Sequence, residues 1–316
     1  MEAGAVVRAE TAPMRRGGRG SGPVTRIVEV RGQVPLLPRI ASVPGPGAEV
    51  VFVAGAAGPL GGDELTVRIE VGPGARLTVR TAAAAVVLPG TGEPARQSVE
   101  IVVDDGGELE WLPEPVVVAA GARYESSVKV TLGRATRLLM CETLVLGRAA
   151  EPCGDAVSRW DVAAEGRPLL RQQSAYGPAA KPGWRGPAGT AGGTVVASRL
   201  RFPDIPGTTP RLPSAVGRAV CELAGGGLLT TVTAADTLTA ERLLNEDAPQ
   251  SPAPATALAS ASASERRPPT DDAPAGPSAP ATSSGPNEPG PDGPNGPRGS
   301  RGSRGATASR PTAVAR

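Results

Sequence analysis

Apolar and polar residues alternate with a period of two through much of the chain between residues 23 and 244. In Leu65–Val71 (LTVRIEV), Leu65, Val67, Ile69 and Val71 share one face, and Thr66, Arg68 and Glu70 share the other. Successive side chains of a strand point to opposite sides, so this pattern predicts a half-buried strand. Val24–Arg31 (VTRIVEVR) reads the same way, with Val24, Arg26, Val28 and Val30 on one face and Thr25, Ile27, Glu29 and Arg31 on the other. Leu77–Val87, Ser98–Val103, Val116–Ala119, Tyr124–Leu132, Arg137–Val145 and Val157–Ala163 continue the series. Between them, Val71–Gly74, Leu88–Pro94, Asp104–Gly107 and Glu165–Pro168 are rich in Gly and Pro, the residues that supply or preset turn dihedrals. Short strands at such spacing predict an all-β sandwich, barrel or solenoid. No fixed-period repeat singles out the solenoid. Helices are expected only at Thr209–Leu223 and Thr237–Leu244, and a long loop at Gly177–Gly193.

Composition narrows what such a body can do. The chain has 316 residues, with 42 Gly, 35 Pro, seven aromatics and no histidine. A Ser-His-Asp triad, a Cys-His pair and an imidazole metal site are therefore excluded. The three cysteines, Cys141, Cys153 and Cys221, form no CxxC pair, which argues against zinc ribbons and Fe–S clusters. So sparse and odd a count favours a reducing compartment, hence the cytoplasm. A formal charge of +2 gives no electrostatic case for nucleic acid, and no apolar run is long enough for a membrane span. With few aromatics, the core must be built from Val, Leu, Ile and Ala spread over many strands.

The two ends differ from the middle. Residues 1–22 contain RRGGRGSG (Arg15–Gly22) and read as a flexible basic arm, with Met14 as an alternative start to Met1. Residues 245–316 are mostly Pro, Ala, Ser, Gly and Arg, with almost no large apolar side chain to offset the entropy of ordering, and read as a disordered tail. The β domain spans 23–244.

Acid–base chemistry would fall to carboxylates. Glu108 and Glu110 share a face in ELEWLPEP, and a pair in one pocket is an acid and a base. The plainer reading makes them the solvent face, with Leu109 and Trp111 turned inward. Asp63 in GGDEL (Gly61–Leu65) reads as a turn residue bonding local backbone, since no phosphate-loop pattern surrounds it. Glu142 in MCETLVLGR is either a carboxylate paired with Arg148 or another arginine, or an acid lining a cavity, with Cys141 beside it as a small core residue.

Five blocks together resemble the urease accessory protein UreD family, called UreH in some organisms, in its compact actinobacterial form. They are GPLGGDEL (Gly58–Leu65), VGPGARLTVRTAAAAVVLPG (Val71–Gly90), LEWLPEPVVVAAGARYES (Leu109–Ser126), CETLVLGR (Cys141–Arg148) and DVAAEGRPLLRQQ (Asp161–Gln173). The resemblance implies a β-helix-like stack of two sheets with a few short helices. It implies a protein that is not an enzyme, binds the urease structural subunits together with UreF and UreG, and passes nickel in transit without a tightly bound cofactor. Asp63 and Glu142 are the positions it implies along a nickel path. Gly61, Gly62, Leu112, Pro113, Gly147 and Arg148 would hold the fold. The competing readings are a β-solenoid carbohydrate-active enzyme and a structural β scaffold.

Overall fold

The computed structural model describes residues 1–13, 22–203 and 215–245. In chain order its elements are β1 (Glu2–Ala12), β2 (Val24–Gly32), β3 (Leu36–Ala41), β4 (Ala48–Ala54), β5 (Glu64–Val71), β6 (Arg76–Thr81), β7 (Ala85–Val87), β8 (Ala95–Val103) and β9 (Glu108–Leu112). There follow β10 (Val116–Val118), β11 (Arg123–Leu132), β12 (Arg137–Leu146), β13 (Asp155–Ala164), β14 (Arg167–Tyr176), β15 (Val195–Phe202), β16 (Arg218–Glu222), β17 (Leu228–Ala234) and α1 (Thr237–Asn245). The fold is all-β, with one short helix among the described residues. No helix there is long and apolar enough to cross a membrane.

One sheet runs β14-β13-β11-β8-β5-β1-β2; the other runs β16-β17-β15-β12-β9-β6-β4-β3, with β10 also beside β12 and β7 beside β10. From β4 to β13 the chain alternates between the two sheets, and each return pairs in parallel with the preceding coil. That is solenoid winding. Arg96 lies 32 residues beyond its ladder partner Glu64 and 29 before its partner Glu125, and it bonds both carboxylates. Coils of unequal length leave no fixed period to read, although the structure repeats.

Stacking places like residues in register. Val7, Ile69, Ile101, Val130 and Val162 form one inward row across the first sheet. Leu77, Leu109 and Leu138 form a facing row on the second. All are at most 2% exposed, and burying each such side chain contributes about 1.5–3 kcal/mol. Leu109 and Trp111 do point inward, while Glu108 lies within 3.5 Å of Arg76 and 3.9 Å of Arg137 on the outer side.

Four expectations need correction. The arm expected over residues 1–22 is a strand over Glu2–Ala12, inserted between β5 and β2. Its inward residues are small (Ala3, Ala5, Val7 and Ala9), so the alternation is faint beside the basic run that follows. That run, residues 14–21, lies outside the described residues, as do residues 246–316 of the expected tail. The single strand expected over Leu77–Val87 is divided into β6 and β7 at Ala82–Ala84. The strict alternation read in Val24–Arg31 is broken by a bulge: Arg8 pairs with Glu29 and Ala9 with Ile27, leaving Val28 extra. Ile27 and Val30 therefore share the inner side. The helix expected over Thr209–Leu223 is strand β16 over Arg218–Glu222, because Gly217 at φ +78° turns the chain and β17 offers an open ladder. Residues 204–214 lie outside the described residues. The helix expected at Thr237–Leu244 is present as α1, and Asp236 caps it by accepting from the Thr239 N–H at 2.8 Å.

Candidate functional site

The interior is not apolar throughout. On β12, Leu138 and Met140 belong to one buried cluster and Leu144 and Leu146 to another, with Glu142 between them. The same division recurs at the same height in the facing sheet. Gln97 separates Ala95 from Val99 on β8, Ser126 separates Tyr124 from Val128 on β11, and Ser158 separates Ala156 from Trp160 on β13. Gln97, Ser126, Ser158 and Ser174 are successive partners across the ladder, and Glu142 is paired with Ser198 on β15. A polar layer thus crosses the stack between two apolar blocks. The second sheet is interrupted at this height, where β6 gives way to β7 and β9 to β10.

Glu142 is the centre of this layer. Its Oε1 accepts from the Ser126 hydroxyl at 3.0 Å and its Oε2 from the Ser158 hydroxyl at 2.5 Å. Both serines are less than 9% exposed. No cationic side chain among the described residues bonds this carboxylate. Burial pushes the Glu142 pKa up, and the hydroxyls of Ser158 and Ser126, with the indole of Trp160, only partly oppose it. The Trp160 N–H is buried beside the layer and has no well-formed partner. Burial also raises the Tyr124 hydroxyl, with the Glu142 charge as a second cause, and that hydroxyl donates to Gln97 Oε1 at 2.9 Å. Glu142 itself is half-buried, with both carboxylate oxygens turned to the serines of the facing sheet.

Asp63 sits elsewhere. It closes the Gly61–Gly62 turn before β5, where Oδ1 bonds the Met1 ammonium at 2.7 Å and Oδ2 accepts from the Leu60 N–H at 2.9 Å. Burial raises its pKa, but the ammonium and the Leu60 N–H outweigh this and hold it below the usual carboxylate value. The local-backbone reading of Asp63 therefore holds for Leu60, and the ammonium is an addition. Among the described residues, Asp63 and Glu142 share no hydrogen-bond partner and do not bond each other.

The remaining motif residues shape turns and ladders. Gly61 lies so close to the next coil that a side chain there would meet Gly90 N at 2.8 Å, and Gly62 adopts φ +90°. Leu112 ends β9, half-buried, and Pro113 follows at the break in the sheet. Gly147 turns the chain out of β12 at φ +97°, and its N–H bonds Val118 O at 3.0 Å. Arg148 does not pair with Glu142. It forms a two-pronged ion pair with Glu151 at 2.8 and 2.9 Å, and the guanidinium with its own backbone N–H lowers the Glu151 pKa to about 2. Cys141 is half-buried and faces outward beside Arg199, rather than lying in the core.

Sequence reasoning found Glu142 but missed the serines that hold it. The signal was present: on each of three strands, one inward position in an otherwise apolar series is Ser126, Glu142 or Ser158. Only the register shows that these positions meet. Among the described residues, no three Cys, Asp or Glu side chains gather as a metal-binding group.

Comparison with known proteins agrees with the resemblance. The family model for the UreD urease accessory protein matches residues 10–271. The chain is 40% identical over 244 residues to the urease accessory protein UreD of Streptomyces coelicolor, covering 76% of this chain and 94% of that one. It is also 40% identical to UreD 3 of Streptomyces griseus (70% and 89% covered) and to UreD of Frankia alni (72% and 88% covered). The chain belongs to the UreD urease accessory protein family.

Proposed function

We propose that this protein serves urease maturation as a docking body that passes nickel toward the urease active site without turnover of its own. It would act in the cytoplasm with the urease structural subunits, UreF and UreG. The observation that supports the nickel role is the polar layer around Glu142. A carboxylate buried without a cation is costly, and an apolar side chain at this position would join the two clusters into one core. Its retention fits a group kept for a passing cation.

The donor set suits passage better than storage. One carboxylate and neighbouring hydroxyl oxygens are hard ligands, and they hold Ni²⁺ more loosely than imidazole or thiolate. Each 1.4 kcal/mol of extra binding would slow release about tenfold. In this reading Glu142, Ser126 and Ser158 border the path. Asp63, with both oxygens engaged, shapes the turn that fixes the first coils.

The test is complementation. Cells lacking the protein are expected to make urease subunits at normal levels but with nickel-free, inactive enzyme. The wild-type chain should restore activity and nickel content, and a Glu142→Gln chain of equal abundance should not. Fully active urease in the deletion strain would overturn the maturation role. Full restoration by the Glu142→Gln chain would overturn the part given to the buried carboxylate.

A further inference from the structure

The two sheets end side by side at β2 and β3, each of which pairs with a single strand. Here inward-facing residues are left uncovered. Val30 stands opposite Val7 in the ladder and is 36% exposed; Ile40 stands opposite Val50 and is 57% exposed. Val7 and Val50 themselves are fully buried. The bulge residue Val28 is 52% exposed, and Val34, in the β2–β3 connection, is 48% exposed. The core thus reaches the surface as an apolar strip along one side of the stack, of the kind that marks an interaction site.

Both flanking edges resist strand addition. Pro38 removes a donor from β3, and the bulge kinks β2 beside its charged residues. An occupant must therefore meet the strip with side chains. The rim selects it by charge. Arg26, Arg31 and Arg39 are exposed around the strip, and Arg26 and Arg39 form no ion pair among the described residues. Arg31 is paired with Glu29, and Glu10, across the ladder from Arg26, is taken by Arg8 at 2.6 Å. A second copy docking about a two-fold axis would set this rim against itself, arginine against arginine.

We propose that the β2–β3 side is a docking surface for a partner protein that presents an aliphatic ridge flanked by carboxylates. The choice of probes rests on the maturation reading above; the surface does not. Full-length protein would be titrated with purified UreF and, separately, with apo-urease. Against at least one of them, Ile40→Asp should weaken binding about tenfold or more, as expected for a buried apolar anchor. The double variant Arg26→Glu/Arg39→Glu should weaken it several-fold and flatten its salt dependence. Leu238→Asp, at an exposed apolar position on α1, is the control and should bind as wild type. All variants should melt within a few degrees of wild type, since the substituted side chains are exposed. Wild-type affinity in both test variants overturns the surface and leaves the maturation reading intact. Weakening in Ile40→Asp together with unfolding, with the arginine variant binding normally, overturns it as well. A wild-type dimer that Ile40→Asp dissolves would replace the acidic partner by a second copy. Wild-type protein that binds neither probe overturns the docking proposal together with its partner assignment.

Discussion

Asp63 and Glu142 are both carboxylates taken largely out of water, one at a turn and one between the sheets. Asp63 is met by the Met1 ammonium and the Leu60 N–H. Glu142 is met by two serine hydroxyls and no cation. The difference fixes the sign of what each does to the fold. The Asp63 pKa lies below its ordinary value of 3.8, so its stabilising contribution is present above that value and is lost as pH falls through the folded-state value. The Glu142 pKa lies above its ordinary value of 4.5, so its contribution is fully present below 4.5 and is lost as pH rises through the folded-state value. At neutral pH the first carboxylate supports the structure and the second strains it. A buried acid is judged by its partners, and depth alone decides little.

The largest effect should come from removing the strand that Asp63 anchors. A chain started at Met14 lacks β1, which lies between β5 and β2 and fills the inner row with Ala3, Ala5, Val7 and Ala9. It also lacks the ammonium that bonds Asp63. Such a chain is expected to lose its cooperative thermal transition and most of its soluble yield. A soluble product that melts like the full chain would show that β1 is dispensable.

A smaller effect is expected from Asp63→Ala, which leaves β1 in place. It strands the Leu60 N–H and the ammonium without an acceptor and should cost about 1–3 kcal/mol by denaturant unfolding. The loss should shrink as pH falls below 3.8, where protonation disarms the wild-type carboxylate too. A loss that stays constant through that range would mean that the carboxylate's charge is not what matters.

The two regions were legible in the sequence to different degrees. Strands β5, β8, β11 and β12 are legible because Val, Leu and Ile occupy most of their inward positions. β1 is not, because its inward alanines carry a weak hydrophobic signal and a basic, Gly-rich run follows directly. The turn role of Asp63 followed from the glycines beside it, but its partner lies at residue 1 and no local pattern links them. Glu142 could be singled out, and a nearby arginine was an equally reasonable partner on spacing alone. What decided against Arg148 was the Gly147 turn, which carries the arginine out of the ladder to Glu151. Ser126 and Ser158, each 16 residues from Glu142, were invisible as a group. Their meeting depends on the coil register, which chain spacing does not encode when coil lengths vary.

The finest distinction between the two sites is the response to neutralising Glu142 without changing its shape. Glu142→Gln keeps an oxygen to accept from one serine and adds an amide that either serine oxygen can accept. It removes the charge that burial penalises. The variant should therefore melt a few degrees above wild type at neutral pH. Because the wild-type carboxyl gains its proton on acidification, the two melting curves should converge as pH drops toward 4.5, and the gap should widen in the other direction. Asp63→Asn should behave in the opposite sense, losing stability at neutral pH and converging only in strong acid. If Glu142→Gln is instead destabilised at neutral pH, some unseen cation or donor compensates the charge, and the layer is a structural feature. If it is stabilised yet fails to restore urease activation, the fold carries a strained acid that stability alone would have removed, and the reason for keeping it must lie in what passes by it.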